Sequence, residues 1–152
     1  MNTFPGGRVL LLDDEPMVTR ALETLIRLES DLEAIPFNIP EAALDFMDHE
    51  RTDAILADFV MPAMNGLEFL SHARELQPSC SRLLLTGYAD KASAIRAINE
   101  VGLYRYLEKP WSNEELLLTL RNAVERTRLV RELEERTKDL DSLRGEIGKL
   151  LL

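Results

Sequence analysis

"VLLLDDEP", residues Val9 to Pro16, runs four apolar residues straight into three adjacent carboxylates and stops on a proline. Four apolar residues without alternation read as a strand buried on both faces, the pattern of a parallel sheet. Pro16 is placed to open a helix. Asp13, Asp14 and Glu15 then crowd negative charge where the strand must leave the core. Like charges so placed raise one another's pKa, so this strand end calls for a cation.

On either side of this run, short β-type segments alternate with helical ones. Val18, Leu22, Leu25 and Ile26 form the apolar face of a first helix. "LEAIPF" is a short strand that Pro36 assigns to an edge or bulge. A helix from Pro40 presents Ala43, Leu44 and Met47, and "DAILADF" is the next buried strand. After the turn-rich "MPAMNG", Leu67, Leu70, Ala73 and Leu76 fall at helix spacing. "RLLLTGY" is a strand, "DKASAIRAINEVG" a helix closed by Gly102, and "YRYLEKP" a strand. A long helix starts at Ser112, with Glu115 three residues on in the capping-box pattern. The string βαβαβαβαβα predicts an α/β fold, a five-stranded doubly wound parallel sheet covered by helices on both sides. Strand order 2-1-3-4-5 suits it, with ligands bound beyond the carboxyl ends of the strands.

Composition narrows the function. The 152 residues are 45% hydrophobic, enough for a core, and carry a net charge of −9. Such an acidic chain is a poor clamp for nucleic acid, which needs a basic footprint. No helix-turn-helix or basic stripe occurs, so no direct nucleic-acid contact is expected. "MNTFPGGR" has no apolar signal core and no run approaches a membrane span. A single cysteine, Cys80, excludes an internal disulfide and fits a reducing compartment. The expectation is a soluble cytoplasmic chain without membrane contact.

In the 2-1-3-4-5 order, Asp13 and Asp14 end strand one, Asp58 strand three, Thr86 strand four and Lys109 strand five. Their side chains converge above one edge of the sheet. Taken singly, each has a plainer reading: Asp13–Glu15 as caps of the first helix, Asp58 as a turn residue, Lys109 as a solvated charge. Together at successive strand ends, they read as a site. Three carboxylates would repel unless a cation sits among them, and oxygen-only ligands with room for water and phosphate suit Mg²⁺. His49 and His72 are the only histidines and fall at exposed helix positions, which disfavours zinc.

"LLLDDE", "ADFVMPAMNG", "LLLTGYAD" and "YRYLEKPW" resemble, in order, the receiver domain of two-component response regulators, over about residues 8–127. The resemblance implies that Asp58 is the phosphoacceptor, served by a histidine kinase or phosphotransfer protein. It implies that Asp13, Asp14, Asp58 and the Val60 backbone carbonyl hold Mg²⁺. Thr86 would hydrogen-bond the phosphoryl group, Lys109 would pair with it, and the Lys109–Pro110 bond would be cis. Pro62 and Gly66 would set the turn after Asp58, Gly66 through a backbone conformation that other residues resist. A switch would move Thr86 and turn Tyr106 inward, Tyr104 being the alternative aromatic, and change the surface of helix four, strand five and helix five. Val60 and Tyr88 flank the expected path of hydrolytic water, and their bulk implies slow autodephosphorylation.

The last helix continues past a lone receiver as an extension over residues 128–152. Leu129, Leu133, Arg136, Leu140, Leu143, Ile147 and Leu150 recur at spacings 4-3-4-3-4-3. This is a heptad seam, with Leu133, Leu140 and Ile147 at a and Leu129, Leu143 and Leu150 at d. It predicts a parallel homodimeric coiled coil against the alternative of a tail folded back on the receiver. Arg136 interrupts the seam, and Gly145 and Gly148 each cost the helix roughly 1 kcal/mol. Seam residues unspent at "KLLL" suggest continuation into a C-terminal output domain. "TGYAD" and "INEVGLYRYLEKPW" look most like receivers that precede HD-GYP-type phosphodiesterases. Two other functions compete with phosphorylation-controlled signalling. One is a small Mg²⁺-dependent aspartyl-phosphate phosphohydrolase, which would place an acid/base two residues after its nucleophile, where Val60 stands. The other is a receiver-like interaction module that is never phosphorylated.

Overall fold

A computed structural model describes residues 6–151; residues 1–5 and Leu152 lie outside them. β1 (Arg8–Leu12), β2 (Glu33–Phe37), β3 (Ala54–Asp58), β4 (Ser81–Thr86) and β5 (Arg105–Glu108) form one sheet in the order β2-β1-β3-β4-β5. Every pairing is parallel. The intervening helices are α1 (Pro16–Glu29), α2 (Pro40–His49), α3 (Gly66–Leu76), α4 (Lys91–Ala97) and α5 (Asn113–Leu151).

The apolar run of β1 is divided between two cores. Leu10 and Leu12 pack with Met47, Ile55, Phe69 and Leu70 on one face. Val9 and Leu11 pack with Leu22, Ile26, Leu116 and Leu120 on the other. Period-two geometry sends neighbours to opposite faces, so a strand buried twice must be apolar throughout. β2 lies at the edge, where Pro36 is tolerated.

Several local expectations change. On α3, Phe69 is fully buried while Leu76, in the last turn, is exposed. The helix "DKASAIRAINEVG" is divided: a 3₁₀ turn at Tyr88–Asp90, α4, then a π turn at Ile98–Gly102 that ends with Gly102 at φ 67°. Ser112 does accept from the Glu115 N–H at 3.4 Å, but the Glu115 carboxylate pairs with Arg105 at 3.3 Å. Gly66 is required for a different reason than a left-handed backbone, because positive φ occurs only at Gly7 and Gly102 among the described residues. A Cβ at Gly66 would collide with the Asp58 carbonyl and sit 2.8 Å from Leu84 Cδ1. α3 thus starts hard against the end of β3.

Candidate functional site

The carboxyl ends of β1, β3 and β5 bring Asp13, Asp14, Asp58 and Lys109 together. Carboxylate oxygens of the three aspartates all lie within 4.8 Å of one another. Asp13 and Asp58 are buried, at 2% and 7% exposure, whereas Asp14 is open to solvent. Lys109 Nζ stands 3.1 Å from Asp58 Oδ1 and 3.4 Å from Asp13 Oδ2. The Lys109 N–H donates to the Thr86 carbonyl at 2.8 Å, which carries the β4–β5 pairing past the strand and fixes where the lysine starts. The Lys109–Pro110 bond is cis.

The turn after β1 does not cap α1. Glu15 occupies the N-cap position without a side-chain bond to the first turn, and its N–H donates to Asp13 Oδ1 at 2.9 Å. The carboxylate cluster is therefore not explained as helix capping. Burial pushes the Asp13 pKa up; the Glu15 N–H opposes this, neighbouring Asp58 reinforces it, and Lys109 opposes it. Burial likewise raises Asp58, against the hydrogen bond and charge of Lys109. Burial alone would lower Lys109, but Asp58 and Asp13 outweigh it and the ammonium is held above its ordinary range. One lysine thus leaves two buried carboxylates short of positive charge. An all-oxygen donor set with that deficit fits a hard divalent ion such as Mg²⁺.

Thr86, fully buried at the end of β4, donates from Oγ1 to the Leu107 carbonyl at 3.4 Å. Tyr106 is half-buried and packs on the core that contains Phe69, while Tyr104 lies outside β5 and is 37% exposed. Val60 is 61% exposed on the loop past Asp58, and Pro62 is exposed on the same loop. Tyr88 stands in solvent at 88%. His49 and His72 are exposed and away from the cluster's donor set. Sequence reasoning missed Asn38, whose amide donates to the Asp13 carbonyl at 2.7 Å; a polar residue just past a predicted edge strand is its only trace.

The response regulator receiver domain family matches residues 9–121. The chain is 34% identical to the hydrogenase transcriptional regulatory protein HoxA of Bradyrhizobium diazoefficiens over 145 residues, 95% of this chain and 30% of that protein. It spans about a quarter to a third of the first curated relatives it matches, 30%, 24% and 32% of their lengths. Among solved structures, it resembles the signal receiver domain of an HD domain-containing protein from Pseudomonas fluorescens Pf-5, at 32% identity and TM-score 0.74, covering 80% of this chain and 97% of that one. An adenylate cyclase from Rhodopirellula baltica superposes at TM-score 0.82 with 28% identity, covering 87% and 97%. Sheet order, acidic strand ends and family match agree, and the chain belongs to the response regulator receiver domain family.

Proposed function

We propose that Asp58 accepts a phosphoryl group from the phosphohistidine of a histidine kinase or phosphotransfer protein. Receiver domains are signalling modules that work with histidine kinases and bind Mg²⁺ at an acidic pocket. The observation that carries the reading here is Lys109 Nζ, 3.1 Å from Asp58 Oδ1 beside two further aspartates. An Asp58 oxygen would attack phosphorus as the P–N bond breaks, and the leaving imidazole takes up a proton. Burial opposes the ionised nucleophile, and Lys109 favours it. Asp13, Asp14, Asp58 and the Val60 carbonyl would hold Mg²⁺, which when bound neutralises charge on the transferring oxygens. Thr86 would exchange its bond to the Leu107 carbonyl for one to the phosphoryl group, coupling the site to β5 and Tyr106.

The signal would leave through α4, β5 and α5, and α5 would pair in parallel with a second copy along its leucine seam. A downstream output domain belongs to this reading. Similar proteins differ in that respect, HoxA being a transcriptional regulatory protein and the Pseudomonas receiver part of an HD domain-containing protein. The reading places the domain in the cytoplasm, a compartment that suits its one free thiol, Cys80. Val60 offers no proton-transferring group two residues after Asp58, which argues against a phosphohydrolase.

Incubation with acetyl phosphate and Mg²⁺ tests the proposal by intact mass. A gain of about 80 Da, the mass of one phosphoryl group, is expected in the wild type and absent from Asp58→Asn. No gain in the wild type supports the unphosphorylated module, and a gain retained in Asp58→Asn removes Asp58 as acceptor.

A further inference from the structure

We propose that Asn38 is a positioning residue for the acidic turn, gripping the Asp13–Asp14 peptide so that both carboxylates meet one divalent ion. This rests on the reading that Asp13 and Asp14 hold that ion.

Asn38 follows β2 immediately and precedes α2, where an asparagine would ordinarily turn back to cap its own helix. It does not do so. The N-cap position of α2 is Ile39, which makes no side-chain cap bond. Instead, Asn38 Nδ2 donates to the Asp13 carbonyl at 2.7 Å and to Thr19 Oγ1 at 3.0 Å. The carbonyl can only accept, so it must face the amide's NH₂ rather than its oxygen. Thr19 is buried and donates its own hydroxyl to the Pro16 carbonyl at 3.1 Å, leaving its oxygen oriented toward Asn38.

The consequence for Asp13 is complete restraint. Its N–H donates to the Phe37 carbonyl at 3.2 Å, one step beyond the β1–β2 register that ends at Leu12 and Phe37. Its C=O is held by Asn38, its Oδ1 by the Glu15 N–H and its Oδ2 by Lys109. Of these four restraints, only the one on the carbonyl comes from a side chain outside the charged cluster. That carbonyl belongs to the peptide joining Asp13 to Asp14. Its orientation therefore sets the direction from which the solvent-exposed Asp14 carboxylate approaches. Bonds that orient ligands in this way are worth about 10-fold or more in metal affinity.

The test is calorimetric titration of the full chain with MgCl₂, alongside urea unfolding with and without the ion. Asn38→Ala removes the donor without changing charge, and Asn38→Asp replaces it with an acceptor in nearly the same shape. Both variants should bind Mg²⁺ about 10-fold more weakly than wild type, and Mg²⁺ should raise their unfolding midpoints less. Asn38→Asp discriminates further, because added negative charge without a positioning role would tighten binding. Unchanged affinity in Asn38→Ala, tighter affinity in Asn38→Asp, or midpoints displaced equally with and without Mg²⁺ would overturn the assignment. A wild-type chain that fails to saturate with Mg²⁺ would instead overturn the metal-site reading on which it rests.

Discussion

Asp13 and Asp58 hold charge where burial makes charge costly, and that cost is measurable. Both folded pKa values lie above the ordinary carboxylate value near 3.9. Between the unfolded and folded values, the native state binds more protons than the unfolded chain, so stability falls as pH rises through that window. For the metal-free protein at pH 7, Asp13→Asn should therefore raise unfolding free energy by about 1 kcal/mol, a common gain at strained functional sites. The advantage should shrink as pH falls through the folded pKa, where a protonated Asp13 comes to resemble asparagine. Saturating Mg²⁺ should stabilise the wild type more than the variant, by linkage. Urea titrations from pH 4 to 8 check this; an advantage that grows toward low pH would contradict it. The phosphoryl lifetime belongs to the same scale. We infer slow hydrolysis from the bulk of Val60 and Tyr88, both of which stand exposed on the loops that follow Asp58 and Thr86. A Val60→Asn, Tyr88→Ala chain should lose its added mass about 10-fold faster, a barrier lower by ~1.4 kcal/mol. Decay at the wild-type rate would refute that inference.

α5 is fastened at the edge of the sheet opposite the acidic cluster, and the fastening is polar. Arg131 donates to Asp53 Oδ1 at 3.0 Å and to the Thr52 carbonyl at 2.8 Å. One turn earlier, buried Thr127 donates to the Asp53 carbonyl at 2.6 Å and meets Ser81 Oγ at 2.7 Å. Asp53 Oδ2 is taken by the Arg8 N–H at 2.8 Å, so one carboxylate joins β1 to α5. Arg131 and Asp53 side chains are only 12% and 13% exposed. Arg131→Ala removes the guanidinium but leaves Asp53 the Arg8 N–H. It should cost about 2–3 kcal/mol in urea unfolding, less than the roughly 3–5 kcal/mol of a wholly uncompensated buried charge. A loss below about 0.5 kcal/mol would mean that solvent screens the pair as on an open surface. This anchor also marks where reading the sequence stops. Strand order and the acidic strand ends follow from local apolar runs and from residues next to them, which one sequence records. Arg131 and Asp53 lie 78 residues apart, and neither carries a local sign of the other. Asn38 and Thr19, 19 residues apart, were invisible for the same reason. Gly66 was legible as necessary but not why, because the collision is with the backbone of a different element.

At the scale of the whole molecule, the anchor takes one side of α5 and the leucine seam lies on another. At 3.6 residues per turn, a side chain two positions from another lies about 200° around the helix. Arg131 is two positions from both Leu129 and Leu133 and so faces away from the stripe they begin. The helix can hold the receiver on one side and a second helix on the other. Leu133, Leu140, Leu143 and Ile147 are 66%, 55%, 52% and 47% exposed in the single chain, and Leu129 and Leu150 are 58% and 86% exposed. Charge predicts the orientation of such a pair: the g positions Glu125, Glu132, Asp139 and Glu146 are all acidic. Antiparallel pairing would set g against g, whereas parallel pairing sets Asp139 toward Arg144 of the other helix. Arg136 at d would bring two guanidinium groups together, and its own Glu132, at 2.8 Å, tempers that repulsion. Three heptads with an arginine and two glycines predict a modest dimer, with Kd near 1 μM or about −8 kcal/mol. Sedimentation should therefore show mass rising with concentration, and melting temperature should rise with it. Leu140→Asp should abolish both while leaving the acetyl phosphate mass gain intact, since Leu140 lies nine residues beyond the anchor. A wild-type chain that stays monomeric at about 100 μM, a hundredfold above that Kd, would refute the paired helix and leave the phosphoacceptor reading standing.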